Sequence, residues 1–384
     1  MATSKFTTLY EWDTVQSADS TEWCPLAPGQ SIFVCGTYQI EKEDKVAENT
    51  SPPTTRHGRI YVFELADVLQ LIPHQVIDLP AVLDMKWSQT YICGKILLGV
   101  VTATAKLLLF ELIEDKTLIQ IAEASVLGNT DTKEVLALSL DWSNARCKDM
   151  GSAQTEVHII VSHSQGGANL FLLSEKQELV MIEKWLGHEY EAWIAAFNYW
   201  ESSVTLTGGD DCILKGWDVR SGLSSPIFIN RSHNAGVTSL HSNALFEHIF
   251  VSGSYDESLR FWDLRKMKNP LHTTEMFGGV WRVKWNPFTF DTLLTACMHG
   301  GFNVVDFKNP IQSEHQPQIF ASYKNHESIA YGADWSHLNE ASIKVLFTRN
   351  KNIQTANGKN AYIVSTCSFY DHKLCISLFT KADT

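Results

Sequence analysis

Two tryptophan-aspartate pairs, Trp217-Asp218 and Trp262-Asp263, stand 45 residues apart, and the same residues precede each at the same distances. A histidine lies 29 residues before each tryptophan, at His188 and His233, and an aspartate six residues before it, at Asp211 and Asp256. A unit of this length cannot bury its apolar face alone, so a chain built of such units must stack them into an array or a ring.

Weaker copies extend the pattern along the chain. An aromatic followed by a small polar residue recurs at Trp23-Cys24, Trp87-Ser88, Trp142-Ser143, Phe197-Asn198, Trp285-Asn286 and Trp335-Ser336, with His241-Ser242 included because its phase fits. A second signal follows at Phe63, Phe110, Phe171, Trp217, Trp262, Val305 and Ser377. Most paired signals are 20–29 residues apart, and the two long intervals contain polar inserts at 41–58 and 337–359. Short apolar runs between turn residues, with no sustained helical period, make these units strands. The expected fold is all-β, a seven-bladed WD40 β-propeller formed as one domain, with blades near 17–65, 81–113, 134–173, 188–219, 233–265, 277–307 and 326–380. The last phase lacks a fourth strand, so residues 6–13 are expected to supply it and close the ring. In such blades the His, Asp and Trp fasten strands together, which assigns His188, Asp211, His233 and Asp256 to structure.

The chain carries a formal charge of −12 over 384 residues, without a basic run. Nucleic-acid binding by counterion release has little to work with, whereas cationic ligands or partner patches are favoured. Met1–Asp13 lacks an apolar core, and no run of eighteen uncharged apolar residues occurs, so neither a secretory signal nor a membrane helix is expected. Eight scattered cysteines fit free thiols in a reducing compartment, and the expected location is cytoplasmic. Neither a metal-ligand cluster nor a cofactor motif is present, and none is expected.

Blade six breaks the pattern. Met276 stands where the fastening His belongs, His299 replaces the Asp, and Val305 replaces the Trp. Released from that role and placed on a turn at the upper face, His299 has the chemistry of a general acid or base. It also reads simply as a side chain that drifted in as the blade degenerated. Residues just before the Asp position face the upper rim: Asp210, Tyr255, Met298 and Tyr370, with Glu191 adding a carboxylate. Aromatic and acidic groups around one opening suit a cationic ligand. Trp193, Trp281 and Tyr331 share a phase with Val237, Leu83 and Leu138, which assigns them to packing between blades.

Longer strings carry a resemblance to a known family. ADSTEWCP at 18–25, EAWIAAFNYW at 191–200, GGVWR at 278–282, ACMHGGF at 296–302, YGADWS at 331–336 and CSFYDH at 367–372 are similar to the WD-repeat diphthine methylesterases of eukaryotes. The resemblance implies hydrolysis of the methyl ester of methylated diphthine, a modified histidine of translation elongation factor 2, during diphthamide biosynthesis. Elongation factor 2 is then the expected partner, and the substrate's trimethylammonium group matches the rim. Ester hydrolysis needs an activated water or nucleophile and donors to the oxyanion. The expected catalytic set is His299 as base, oriented by Asp210 or Asp334, with Cys297 as a nucleophile and Gly300 and Gly301 as oxyanion donors; Tyr255, Tyr370 and Glu191 bind substrate. Cys297 reads equally as a small buried strand residue. A different class of function remains open, since Trp217-Asp-Val-Arg220 and Trp262-Asp-Leu-Arg265 match the W-D-x-R pattern by which receptors dock a ubiquitin-ligase adaptor.

Overall fold

The computed structural model describes residues 4–42, 54–127, 134–145, 157–307, 316–349 and 360–382. Its strands form seven antiparallel sheets, six of four strands and one of five. The first strands of the sheets, Ala18–Trp23, Val82–Trp87, Ala137–Trp142, Ile194–Phe197, Val237–Ser242, Arg282–Trp285 and Ala330–Trp335, each contact the next around a closed ring, the last meeting the first. This is a seven-bladed β-propeller, with those first strands lining a central channel.

Closure comes from the N-terminal strand. Lys5–Asp13 pairs with Lys373–Thr380 in antiparallel register, Phe6 opposite Phe379 and Trp12 opposite Leu374, and completes blade seven. The other blades carry an outermost strand beyond the ranges read from the repeat, at Gln70–Pro80, Leu118–Ser125, Leu179–Leu186, Phe228–Asn230, His272–Glu275 and Ile319–Tyr323. These outer strands are short or alternate exposed and half-buried residues, so the aromatic signals that mark the inner strands are missing from them.

Side chains alternate across each pleated sheet, and both faces of a blade are covered by neighbours, so the inner strands are apolar on both sides. Seven buried clusters result, one between each pair of adjacent blades. Leu206 and Leu214 of blade four meet Val237 and Phe250 of blade five, for example, and Ile376 and Ile363 of blade seven meet Phe33 and Phe63 of blade one.

The fasteners hold the b and c strands to the connection before each blade. His188 spans Asp211 at 2.8 Å and the Thr207 hydroxyl at 2.8 Å, and that hydroxyl accepts the Trp217 Nε1–H at 2.9 Å. His233, Asp256, Ser252 and Trp262 repeat the arrangement. In blade seven His326 and Asp371 are joined indirectly. His326 bonds Ser368 and Thr366, and the Ser368 hydroxyl donates to Asp371.

Blade five corrects the repeat phase by one residue. Asn243 donates its backbone N–H to Ile249 as Ser88 does to Leu97 and Asn286 does to Thr292. Ser242 therefore occupies the tryptophan position. Both inserts also contain structure. Gln39–Lys42 pairs with the start of the long strand Thr54–Ala66, so the ends of 41–58 form a hairpin, while 43–53 lie outside the described residues. The segment 337–359 begins with a helix, Glu340–Arg349, whose Ile343 and Leu346 pack into the cluster between blades seven and one; 350–359 lie outside the described residues. Among the described residues no helix is long and apolar enough to cross a membrane.

Candidate active site at the upper mouth of the channel

Five of the seven inner strands shift register at the same place, four residues before the tryptophan position. The extra residues are Asp19, Leu83, Leu138, Thr238 and Tyr331. A bulge leaves one residue unpaired and re-aims its side chain. In blades four and six the same position, Trp193 and Trp281, lies just ahead of the strand. Residues of this phase therefore gather at the upper end of the channel. The packing role expected for Trp193, Trp281 and Tyr331 is corrected here: the three are half-buried and form the mouth itself.

The aromatic rings run on from one another. Trp193 lies 6.1 Å from Tyr255 and 5.7 Å from Trp281; Trp281 is 4.7 Å from Tyr331; Tyr331 is 5.0 Å from Phe369, which touches Tyr370 and Tyr38. Two glycines let the rim close up. A Cβ at Gly236 would lie 2.6 Å from the Asp210 carboxylate and 3.1 Å from the Tyr255 ring, and one at Gly279 would meet Met298 Sδ and Tyr255 at 3.2 Å. Asp210 also accepts the Trp193 indole N–H at 2.9 Å. Burial, together with Asp210 and Glu191, pushes the Tyr255 phenol up, and the Asp210 N–H donates to the Glu191 carbonyl at 2.8 Å. The structure thus brings Asp210, Tyr255 and Glu191 into one opening, with Tyr370 exposed at its far edge.

Beneath the aromatics lies a charged floor. Arg282 reaches across the channel from blade six to Asp84 of blade two at 3.1 Å, and both are buried. Burial opposes ionisation of Asp84, but Arg282, Lys86 and Lys284 outweigh it and hold the carboxyl below its usual range. Asp19 has the opposite balance: burial pushes it well above the usual carboxylate range, against the pull of Arg282. Its Oδ1 is buried without a hydrogen-bond partner, and so is the indole Nε1 of Trp281. Asp19 Oδ1 and Trp281 Nε1 are thus an unused acceptor and an unused donor shielded from water, while Asp84 Oδ1, also without a hydrogen bond, faces the Arg282 guanidinium.

The other expected site residues fall elsewhere. His299 is exposed on the turn between the second and third strands of blade six, beside Met298, whose backbone bridges Ala330. Cys297 does not share its surface: the thiol is fully buried among Val251, Phe261 and Val280, donates to Thr295 at 3.2 Å, and is pushed up to about 11 by burial. The expected alternation fails because the strand ends at Ala296 and the chain turns. Gly300 and Gly301 spend their N–H groups inside that turn, on Cys297 and Met298 carbonyls, so they are not oxyanion donors. Asp334 lies in the lower half of the channel, accepting the Trp23 N–H at 2.7 Å. Arg220 and Arg265 lie at the ends of third strands and fold back on Asp218 and Asp263 at 2.8 and 2.7 Å. The sequence reading missed Asp19 and Arg282 and assigned Trp281 and Trp193 to packing; the signal for all four was the shared position four or three residues before the tryptophan phase.

No protein-family profile matches the chain. Curated relatives do. The chain is 39% identical over 335 residues to the mouse protein named diphthine methyltransferase, which covers 85% of this chain and 69% of that protein. It is 36% identical over 365 residues to the human diphthine methyltransferase, covering 91% and 80%. It is also 35% identical over 395 residues to a Dictyostelium discoideum homologue, covering 94% and 96%. Among solved structures, a chain of a mitotic checkpoint complex superposes with a TM-score of 0.64 at 14% identity, covering 98% of this chain and 92% of that one; this bears on the fold alone. With identities of 35–39% over most of its length, the chain belongs to the diphthine methyltransferase family.

Proposed function

We propose that the chain acts in diphthamide biosynthesis by hydrolysing the methyl ester of methylated diphthine on translation elongation factor 2, in the cytoplasm. The observation that carries this reading is the unpartnered Asp19 carboxyl beneath a continuous aromatic wall. A trimethylammonium group held by the faces of Trp193, Tyr255 and Trp281, with Asp210 and Glu191 supplying negative charge, gains a desolvated cation–π interaction. The ester then lies over the floor. Asp19, its affinity for protons raised by burial against the pull of Arg282, takes a proton from water as the water oxygen attacks the carbonyl carbon. The unused Trp281 N–H and the Arg282 guanidinium stabilise the developing oxyanion. Collapse expels methoxide, which takes the proton back from Asp19 and leaves as methanol, while the new carboxylic acid loses its proton to solvent by way of His299 on the rim.

The test is incubation of the pure protein with methylated-diphthine elongation factor in heavy-oxygen water. Loss of one methylene from the modified residue, with heavy oxygen in the new carboxylate and release of methanol, is expected; transfer of the methyl to another acceptor sinks the hydrolytic reading. His299→Ala in the same assay is expected to slow turnover, and undiminished turnover removes His299 from the mechanism. The docking role of Arg220 and Arg265 is a separate proposal, tested by co-purification of a ligase adaptor that is lost on Arg265→Ala.

A further inference from the structure

The residues just before the tryptophan position form a second ring, lower in the channel. In blade order they are Glu22, Lys86, Asp141, Ala196, His241, Lys284 and Asp334. Lys284 pairs with Glu22 and stands 3.7 Å from Asp334. Lys86 turns up to Asp84 at 3.6 Å and donates to the Leu140 carbonyl at 2.6 Å. Asp141 is left 3% exposed, with no cation at ion-pair distance among the described residues; Lys86 acts on it from farther away, and burial raises its affinity for protons. Its carboxylate accepts the Phe197 N–H at 2.8 Å and the Tyr199 hydroxyl at 3.5 Å, two neutral donors. The next member, Ala196, is buried in the apolar cluster between blades four and five and carries no charge. His241 adds none at neutral pH, because burial, Lys284 and Lys86 push it down to about 3.

Asp141 lines a cavity of about 380 Å³ at the lower end of the channel, with Trp142, Trp285, Tyr199 and His241 among its walls. That volume lies within the range of small-molecule sites. A buried carboxylate is tolerated when it is paired, so an unpaired one facing a cavity points to a counter-ion from outside the chain.

We propose that this lower cavity binds a small organic cation, whose ammonium group pairs with Asp141 while its hydrocarbon part lies against the indoles of Trp142 and Trp285. The site is separate from the upper mouth, since the Arg282–Asp84 bridge crosses the channel between them, and it stands whether or not the mouth hydrolyses an ester.

The experiment titrates the full chain with butylammonium, followed by calorimetry and tryptophan fluorescence, in the native protein and in Trp281→Ala, which disables the upper mouth. Saturable binding that survives Trp281→Ala is expected, at least tenfold weaker in Asp141→Asn and at least threefold weaker in Trp285→Phe, which shortens a wall of the cavity. Trp285→Phe keeps an aromatic ring in the core, so the test does not hang on Asp141→Asn folding. No binding, binding lost in Trp281→Ala alone, or binding unchanged in Asp141→Asn and Trp285→Phe overturns the proposal.

Discussion

Single residues at the mouth divide chemistry from scaffolding. Asp19→Asn keeps the shape and removes the base, so kcat is expected to fall by ~10²–10⁴-fold with little change in KM; steady-state kinetics on the modified elongation factor checks this, and turnover within twofold of native removes Asp19 from the chemistry. Cys297→Ala is expected to leave turnover intact and cost about 1 kcal/mol of stability, because the thiol fills core space; an inactive, folded variant contradicts that. His326 shares the acid sensitivity with His163, His241 and His337, which burial likewise lowers. Burial and the nearby Lys373 push His326 down to about 4 against the pull of Asp371 and Glu11, and its ring bonds two hydroxyls. A histidine whose folded value lies below its unfolded one contributes stability that is present above about 6.5 and is lost as pH falls toward 4. Melting curves across that window are expected to steepen by on the order of 2–3 kcal/mol, and His326→Gln to flatten them.

At the scale of the strand, the sequence shows most where the packing is apolar. Paired tryptophans, turn residues and the His–Asp spacing mark the three inner strands of each blade, because those strands are buried on both faces. The outer strands carry no such mark, and blade five slipped by one residue because Ser242 replaces the tryptophan and leaves His241 as the nearest ring. The mouth was half legible. Asp210, Tyr255 and Glu191 could be placed from the turn positions, since the residue before the fastening Asp sits on the rim. Asp19, Trp193 and Trp281 could not, because their phase is shared with Leu83, Leu138 and Thr238, and only the bulge or early strand start turns some of them into the channel. Trp281 joins the ring of aromatics on both sides, so Trp281→Ala is expected to raise KM by about ten- to thirtyfold, the equivalent of about 2 kcal/mol of cation–π energy. Measured against a substrate lacking the trimethylammonium group, the same variant is expected to show little change in KM; an equal loss on both substrates sinks the cation assignment.

Across the whole molecule, charge and closure act together. Ion pairs such as Arg282–Asp84 tie blade six to blade two through the channel, while the N-terminal strand ties the ring at its circumference. Removing residues 1–13 is expected to leave Lys373–Thr380 as an open edge, lowering the Tm and promoting association. Thermal melting and light scattering check this, and a synthetic peptide of residues 4–13 added in trans is expected to restore the melting temperature. An unchanged Tm on truncation shows that closure contributes little.

That first strand has a consequence for synthesis. Phe6 and Trp12 leave the ribosome long before Phe379 and Leu374 exist to receive them. For most of translation the nascent chain carries an unsatisfied ribbon of backbone donors and acceptors, and its final hairpin is what converts an open arc into a finished wheel. Late truncations therefore do more than shorten the protein: they strand its beginning.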